Sequence, residues 1–119
     1  MTRIILLIED DADIREALAD ALAEDGYQVA CASNGAEGLA LALSVRPALV
    51  LLDLMMPGMS GSQFRAAQRM QPEIAAIPVV VLTADGRIDD RANELQADGK
   101  VRKPIDYEEL LATIEALTS

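Results

Sequence analysis

The sequence contains no histidine, and this absence excludes several kinds of chemistry. Without an imidazole the chain has no Ser-His-Asp or Cys-His nucleophile system and no histidine metal ligand, and it cannot carry a phosphohistidine. The single cysteine, Cys31, excludes an internal disulfide and a thiolate cluster. We expect it to be a small buried residue of a strand. Any chemistry must therefore come from oxygen and amine groups.

Aromatic residues and long apolar runs are also scarce. Only three of the 119 residues are aromatic while 51% are apolar, so the core must be mainly aliphatic. No apolar run approaches the roughly 20 residues that span a bilayer. Aspartates at positions 10, 11 and 13 follow the first apolar run too closely for a signal peptide. We expect one compact domain over residues 1–119, located in the cytoplasm.

Positive charge is scarce as well. Ten lysines and arginines stand against 20 acidic residues, which gives a formal net charge of -10. Such a surface repels the phosphates of nucleic acids and anionic lipids, so we expect neither nucleic acid nor a membrane among the partners. Divalent cations and basic protein surfaces are the expected counterparts.

Short apolar runs alternate with helical patterns along the whole chain. The runs at 4–8, 49–52 and 79–82 are continuous, as in strands buried on both faces of a parallel sheet. Weaker strand candidates lie at 28–32 and 100–102. The alternation predicts an α/β protein with the (βα)₅ doubly wound fold and a five-stranded parallel sheet.

Apolar residues at helical spacing predict the intervening helices. Ser60 with Gln63, and Asp106 with Glu109, have the spacing of N-terminal capping boxes, and Gly26 suits a helix C-terminus. The predicted buried stripes are Ile14, Leu18 and Leu22 with Ala17 and Ala21 beside them; Ala36, Leu39, Ala40 and Leu43; Ile88, Ala92 and Leu95; and Leu110, Leu111, Ile114 and Leu117.

Polar residues follow four of the predicted strands. They are Glu9 and Asp10 after the first, Asp53 after the third, Thr83 after the fourth and Lys103 after the fifth. Ligand sites of open α/β sheets lie at the carboxyl ends of the strands, so we expect these side chains to converge.

This set of residues suits phosphoryl chemistry. Three crowded carboxylates repel one another, and a divalent cation with oxygen ligands, such as Mg²⁺, Mn²⁺ or Ca²⁺, resolves that repulsion. Asp53 can attack phosphorus to give an acyl phosphate, while Lys103 balances charge and Thr83 hydrogen-bonds a phosphoryl oxygen. Taken singly, the residues have plainer interpretations; Asp11 or Asp13, for example, can simply cap the first helix.

The stretches that carry these residues resemble the response-regulator receivers. They read IILLIEDD at 4–11, VLLDLMMPGMSG at 50–61, VVLTA at 80–84 and KP at 103–104. The resemblance covers essentially the whole chain and implies a flavodoxin-like strand order 2-1-3-4-5. It also implies that Asp53 accepts a phosphoryl group from a histidine kinase or histidine phosphotransfer protein. The phosphorylated surface then acts on a downstream protein whose identity stays unknown.

The resemblance implies a Mg²⁺ site, with Mn²⁺ as a substitute. Asp10 and Asp53 would be direct ligands, Glu9 would act largely through water, and the backbone carbonyl of Met55 would be the third protein ligand. Catalysis would be limited to the protein's own phosphorylation and dephosphorylation. We expect the latter to be slow, since Met55, which with Asp85 flanks the path of the attacking water, cannot hydrogen-bond that water.

The resemblance also assigns the remaining site residues. Thr83 and Lys103 correspond to the switch hydroxyl and the phosphate-contacting lysine, and the Lys103–Pro104 peptide to one that is usually cis. Lys100 stands where the family often has an aromatic residue that turns inward, and burying its charge there would be costly. The common aromatic readout is therefore not expected.

The residues argue against several other functions. A haloacid-dehalogenase-type phosphatase needs a second aspartate where this chain has Met55, and an electron carrier of flavodoxin type needs a phosphate-binding loop where this chain is acidic. GxGxxG is absent, so a dinucleotide-binding fold is unsupported. The alternative left open is a degenerate receiver, which would bind proteins independently of phosphorylation.

Overall fold

The structure, a computed structural model, describes residues 3–55, 58–84 and 86–118. Strands and helices alternate through these ranges, and both weak strand candidates form. The elements are β1 (Ile4–Ile8), α1 (Ala12–Glu24), β2 (Gln28–Ala32), α2 (Gly35–Val45), β3 (Leu49–Asp53), α3 (Gly61–Arg69), β4 (Val79–Thr83), α4 (Ile88–Leu95), β5 (Gly99–Arg102) and α5 (Tyr107–Thr118).

All five strands are parallel and lie in the order β2-β1-β3-β4-β5, which confirms the predicted topology. Two hydrophobic clusters cover the two faces of the sheet. One contains side chains of α2, α3 and α4, among them Phe64, and the other contains side chains of α1 and α5. Because β3 and β4 are buried along their whole length, their last residues, Asp53 and Thr83, are buried too.

Side chains define the starts of the helices largely as predicted. The Asp11 carboxylate, not that of Asp13, accepts the first amides of α1. Ser60 and Gln63 form both hydrogen bonds of a capping box, at 3.1 and 2.7 Å. Asp106 accepts two amides of the first turn of α5, and Gly26 follows α1 with a φ of 94°.

The apolar stripe predicted for α2 is wrong. Ala36, Ala40 and Leu43 face solvent and Leu39 is half-buried. The buried face consists of Gly35, Gly38 and Ala42. The helix lies so close to β1 that a Cβ on Gly38 would sit 2.7 Å from Cγ1 of Ile8. Hydrophobic periodicity overlooks such a face because glycine has no side chain to count.

The other stripes face the core in part. Ile88, Ala92 and Leu95 of α4 are buried, and four more of the predicted residues are half-buried: Ile14, Ala21, Leu111 and Leu117. Leu18 and Leu22 of α1, and Leu110 and Ile114 of α5, belong to the core, whereas Ala17 is exposed. Cys31 is half-buried on β2, and burial raises the pKa of its thiol. Among the described residues, the structure has no helix with both the length and the apolar character needed to cross a membrane.

Candidate functional site

The carboxyl ends of four strands meet at one edge of the sheet, and the predicted site residues lie there. Glu9, Asp53 and Thr83 are 0%, 2% and 0% exposed, and Asp10 beside them is exposed. Lys103 follows β5, and its backbone N–H donates to the carbonyl of Thr83 at 2.9 Å. The structure therefore brings together residues that are up to 94 positions apart in the chain.

Lys103 connects two of the carboxylates. Its Nζ lies 2.7 Å from Oε1 of Glu9 and 3.3 Å from Oδ1 of Asp53, and 16% of its side chain is exposed. Burial alone would lower the pKa of this ammonium, but the hydrogen bond to Glu9 and the charge of Asp53 raise it above its ordinary value. The lysine is therefore a permanent cation at neutral pH.

The Asp53 carboxylate is held in its ionised form. Its Oδ1 accepts the backbone N–H of Met55 at 2.9 Å. Burial would raise the pKa of Asp53, but hydrogen bonds from Glu9 and from the Met55 amide, together with the charge of Lys103, hold that pKa below its usual range. An ionised, buried carboxylate at a strand end is suited both to bind a cation and to act as a nucleophile.

The pKa of Glu9 is shifted in the opposite direction to that of Asp53. Burial, together with a hydrogen bond to Asp53, raises the pKa of Glu9 to about 7, although Lys103 opposes the shift. The two neighbouring carboxylates therefore differ in their acidity, and Glu9 is the one that takes up a proton as the pH falls below about 7. Arg15 of α1 helps to place this residue, because its Nη1 donates to the Glu9 carbonyl oxygen at 2.9 Å. No sequence pattern indicates that contact, since it is made to the main chain.

Three carboxylates form a group that fits a divalent metal. One oxygen each from Glu9, Asp10 and Asp53 lie within 4.8 Å of one another. Hard oxygen donors at this spacing, two of them on buried residues, suit Mg²⁺ well. The structure shows the amide of Met55 bound to Asp53, while ligation by the Met55 carbonyl stays a prediction. Met56 and Pro57 of the motif at 50–61 lie outside the described residues, and so does Asp85.

Two further expectations concern the residues around β5. The Lys103–Pro104 peptide is cis, as the resemblance implied. Lys100 is exposed and forms an ion pair with Asp89 in the first turn of α4. The lysine therefore keeps its charge at the surface.

Comparison with known proteins identifies the class. The family model of the response regulator receiver domain matches residues 5–115, and the chain belongs to this family. It is a receiver domain of a response regulator in two-component signalling, which is a signalling module and not a classical enzyme. Receiver domains bind Mg²⁺ at an acidic pocket.

The chain is similar to the DNA-binding dual master transcriptional regulator RpaA of Synechocystis, with 41% identity over 95% of this chain and 48% of that protein. Its fold matches the chemotaxis protein CheY4 of Vibrio cholerae with a TM-score of 0.90 and 30% identity, over 98% of this chain and 99% of that one. A receiver domain of a histidine kinase from Syntrophus aciditrophicus matches at 0.87 and 33%, over 98% and 90%. The chain spans about half the length of the curated relatives it matches.

Proposed function

We propose that Asp53 accepts a phosphoryl group from the phosphohistidine of a histidine kinase or phosphotransfer protein, in a reaction that needs Mg²⁺. The supporting observation is a buried, ionised Asp53 carboxylate 3.3 Å from the ammonium of Lys103, beside two more carboxylates. An Asp53 oxygen attacks phosphorus, the P–N bond to the donor imidazole breaks, and the imidazole keeps the electron pair. Mg²⁺ held by Asp10, Asp53 and the Met55 carbonyl, with Glu9 acting through water, would neutralise charge on the phosphoryl oxygens. Mn²⁺ would substitute.

Lys103 and Thr83 supply the remaining interactions. Phosphoryl transfer asks of a protein mainly positioning and charge compensation, and the Lys103 ammonium already lies beside the attacking carboxylate. Thr83, at the end of β4, would donate its hydroxyl to a phosphoryl oxygen. Moving these two side chains toward the new phosphoryl group would bias the surface of α4 and β5 between two states. A downstream protein would read that surface.

A hollow beside the site supports a docking place for the phosphodonor. It has a volume of about 260 Å³ and lies between α1 and the segment that joins β5 to α5. Its lining is almost wholly apolar, and it consists of Ile14, Ala17, Leu18, Lys103, Pro104 and Ile105. Since Lys103 lines this hollow and also contacts Asp53, a phosphodonor that docks there would lie beside the acceptor.

We further propose that residues 1–119 form one receiver domain that acts in the cytoplasm and itself binds neither nucleic acid nor membrane. The net charge of -10 supports the exclusion of polyanionic partners. We limit the exclusion of nucleic acid to residues 1–119, because similar full-length proteins include a DNA-binding regulator about twice as long as this chain.

The proposal is tested by intact-mass measurement. Incubation with acetyl phosphate and Mg²⁺ should add the mass of one phosphoryl group, and chelation of the metal with EDTA should prevent the addition, because the phosphoryl charge is then uncompensated. A degenerate receiver would show no increase under either condition. Labelling that proceeds equally well in EDTA would contradict the proposed metal requirement.

Mg²⁺ affinity should depend on pH. Below about pH 7 the metal-free protein carries a proton on Glu9, whose pKa is raised to about 7, and the metal must displace that proton. The Mg²⁺ affinity should therefore fall as the pH falls. Well below pH 7 the decrease should approach about tenfold per pH unit. Calorimetric titration from pH 5.5 to 8 measures this, with Glu9→Gln as the control that should lose the pH dependence. If Mg²⁺ affinity changed with pH equally in the native chain and in Glu9→Gln, the proton on Glu9 would not be what the metal displaces.

Self-dephosphorylation should be slow in the native chain. The Met55 side chain is 59% exposed and cannot hydrogen-bond an attacking water. Met55→Asn supplies such a group and should shorten the lifetime of the acyl phosphate several-fold. Decay of the phosphorylated mass after removal of the donor provides the measurement, with Met70→Asn, at another exposed methionine, as control. An unchanged lifetime in Met55→Asn would contradict the idea.

A further inference from the structure

The α3 helix carries a buried arginine that the proposed reaction does not use. Arg65 is 7% exposed, and its guanidinium donates to the carbonyls of Leu95 at 3.0 Å and Gln96 at 2.7 Å. Its Nη1 also donates to the side-chain oxygen of Gln68 at 2.8 Å. The amide of Gln68 in turn donates to two carbonyls in the segment between α3 and β4, both at 2.9 Å. This buried network joins α3 to α4 and to the chain before β4.

The carbonyls that Arg65 binds belong to the end of α4. Leu95 is the last residue of that helix and Gln96 is its C-cap, with a φ of 53°. A helix leaves its last four carbonyls without intrahelical partners, and a cation there also complements the helix dipole. Hydrogen bonds from an ionised donor are the strong kind, and here they are shielded from water. Arg65 therefore anchors the C-terminal end of α4.

The other end of α4 is held at the surface. Asp89 pairs with Lys100, and their side chains are 73% and 49% exposed. Asp90 pairs with Arg87, and these side chains are 62% and 70% exposed. Exposed ion pairs contribute little to stability and are screened by salt. Ile88 at the start of α4 is buried, as is Leu95 at its end, so the two ends differ in their polar contacts: these are buried and charge-assisted at the C-terminal end and exposed at the N-terminal end.

We propose that Arg65 makes the C-terminal end of α4 a fixed pivot, so that the helix responds to the site by moving its N-terminal half. β4 ends at Thr83 and α4 begins at Ile88, so a displacement at the site reaches the N-terminal end of α4 first. The direction of the response rests on the proposed function, whereas the anchoring by Arg65 does not. Arg65 is a positioning residue in this scheme.

The anchoring is tested without any phosphoryl donor. Arg65→Met should raise the amide hydrogen-exchange rates of residues 92–97 by about tenfold or more, and leave β1 and β3 unchanged. Arg69→Met is the matched control. Arg69 also donates to the Gln96 side chain at 2.7 Å and, at the longer distance of 3.5 Å, to the Leu95 carbonyl. Because Arg69 is exposed, we expect a change of about threefold or less. Arg65→Lys keeps the charge but not the several donors of the guanidinium, so its exchange rates at 92–97 should lie between those of the other two variants. It replaces Arg65→Met as the test variant if that protein does not fold. Exchange at 92–97 equal to that of the native chain in both Arg65 variants would overturn the pivot.

The direction of motion is tested by adding beryllofluoride with Mg²⁺ as a phosphoryl mimic. In the native chain, exchange should change in residues 86–91 and stay constant in 92–97. In Arg65→Met the change should extend through 92–97. A native response that spans both ends of α4 would overturn the pivot. A chain that shows no response anywhere would count against the proposed phosphorylation, and the donor-free comparison would then decide the anchoring alone.

Discussion

Asp53→Asn is expected to take up no phosphoryl group under conditions that label the native chain completely. The asparagine is nearly isosteric and keeps an oxygen that can accept the Met55 amide. It removes the negative charge that makes the carboxylate a nucleophile and a metal ligand. Intact-mass spectra after incubation with acetyl phosphate and Mg²⁺ measure the effect.

Asp10→Asn is the matched control for this prediction. It also removes one carboxylate from the metal group, but it leaves the acceptor in place. We therefore expect slower labelling that recovers as the Mg²⁺ concentration is raised. Thermal unfolding should show that both variants are folded. Labelling of folded Asp53→Asn at the native rate would contradict the assignment of the acceptor.

Gly38→Val is expected to lower the free energy of unfolding by about 1–3 kcal/mol, the usual cost of overpacking a core. A Cβ at this position would meet Cγ1 of Ile8 at 2.7 Å, and Ile8 is fully buried beneath α2. Because Glu9 follows Ile8, the displacement should also disturb the site. Denaturant unfolding measures the loss of stability.

Ala40→Val on the exposed face of the same helix provides the control. It has the same β-branched side chain and meets solvent, so it should cost no more than the difference in helix propensity, about 0.7 kcal/mol or less. Equal free energies of unfolding for Gly38→Val and Ala40→Val would show that the close approach of α2 to β1 is not the reason for glycine at position 38.

The sheet was predictable from the sequence because its strands are buried on both faces. Continuous runs such as Val79–Thr83 allow few other interpretations, and polar residues mark where they end. The orientation of α2 was not predictable in the same way. Ala40 and Leu43 were expected to be buried, but they face solvent because the sheet side of the helix requires glycine. That requirement exists only once the helix packs against β1.

The convergence of the site could be predicted because strand ends of one sheet share an edge. The pKa values of the site residues could not be predicted from the sequence. Burial and the hydrogen bond to Asp53 raise the pKa of Glu9, whereas hydrogen bonds from Glu9 and the charge of Lys103 lower the pKa of Asp53. These effects depend on distances of a few ångströms. The supporting contact from Arg15 ends on a carbonyl and has no signature in the sequence.

The most direct test of the central claim locates the phosphoryl group. Borohydride reduces an aspartyl phosphate to homoserine, and peptide sequencing by mass spectrometry then identifies the reduced residue. After phosphorylation in Mg²⁺ we predict homoserine at position 53 and nowhere else. Homoserine at Asp10 or at another acidic residue, with an unmodified Asp53, would contradict the account.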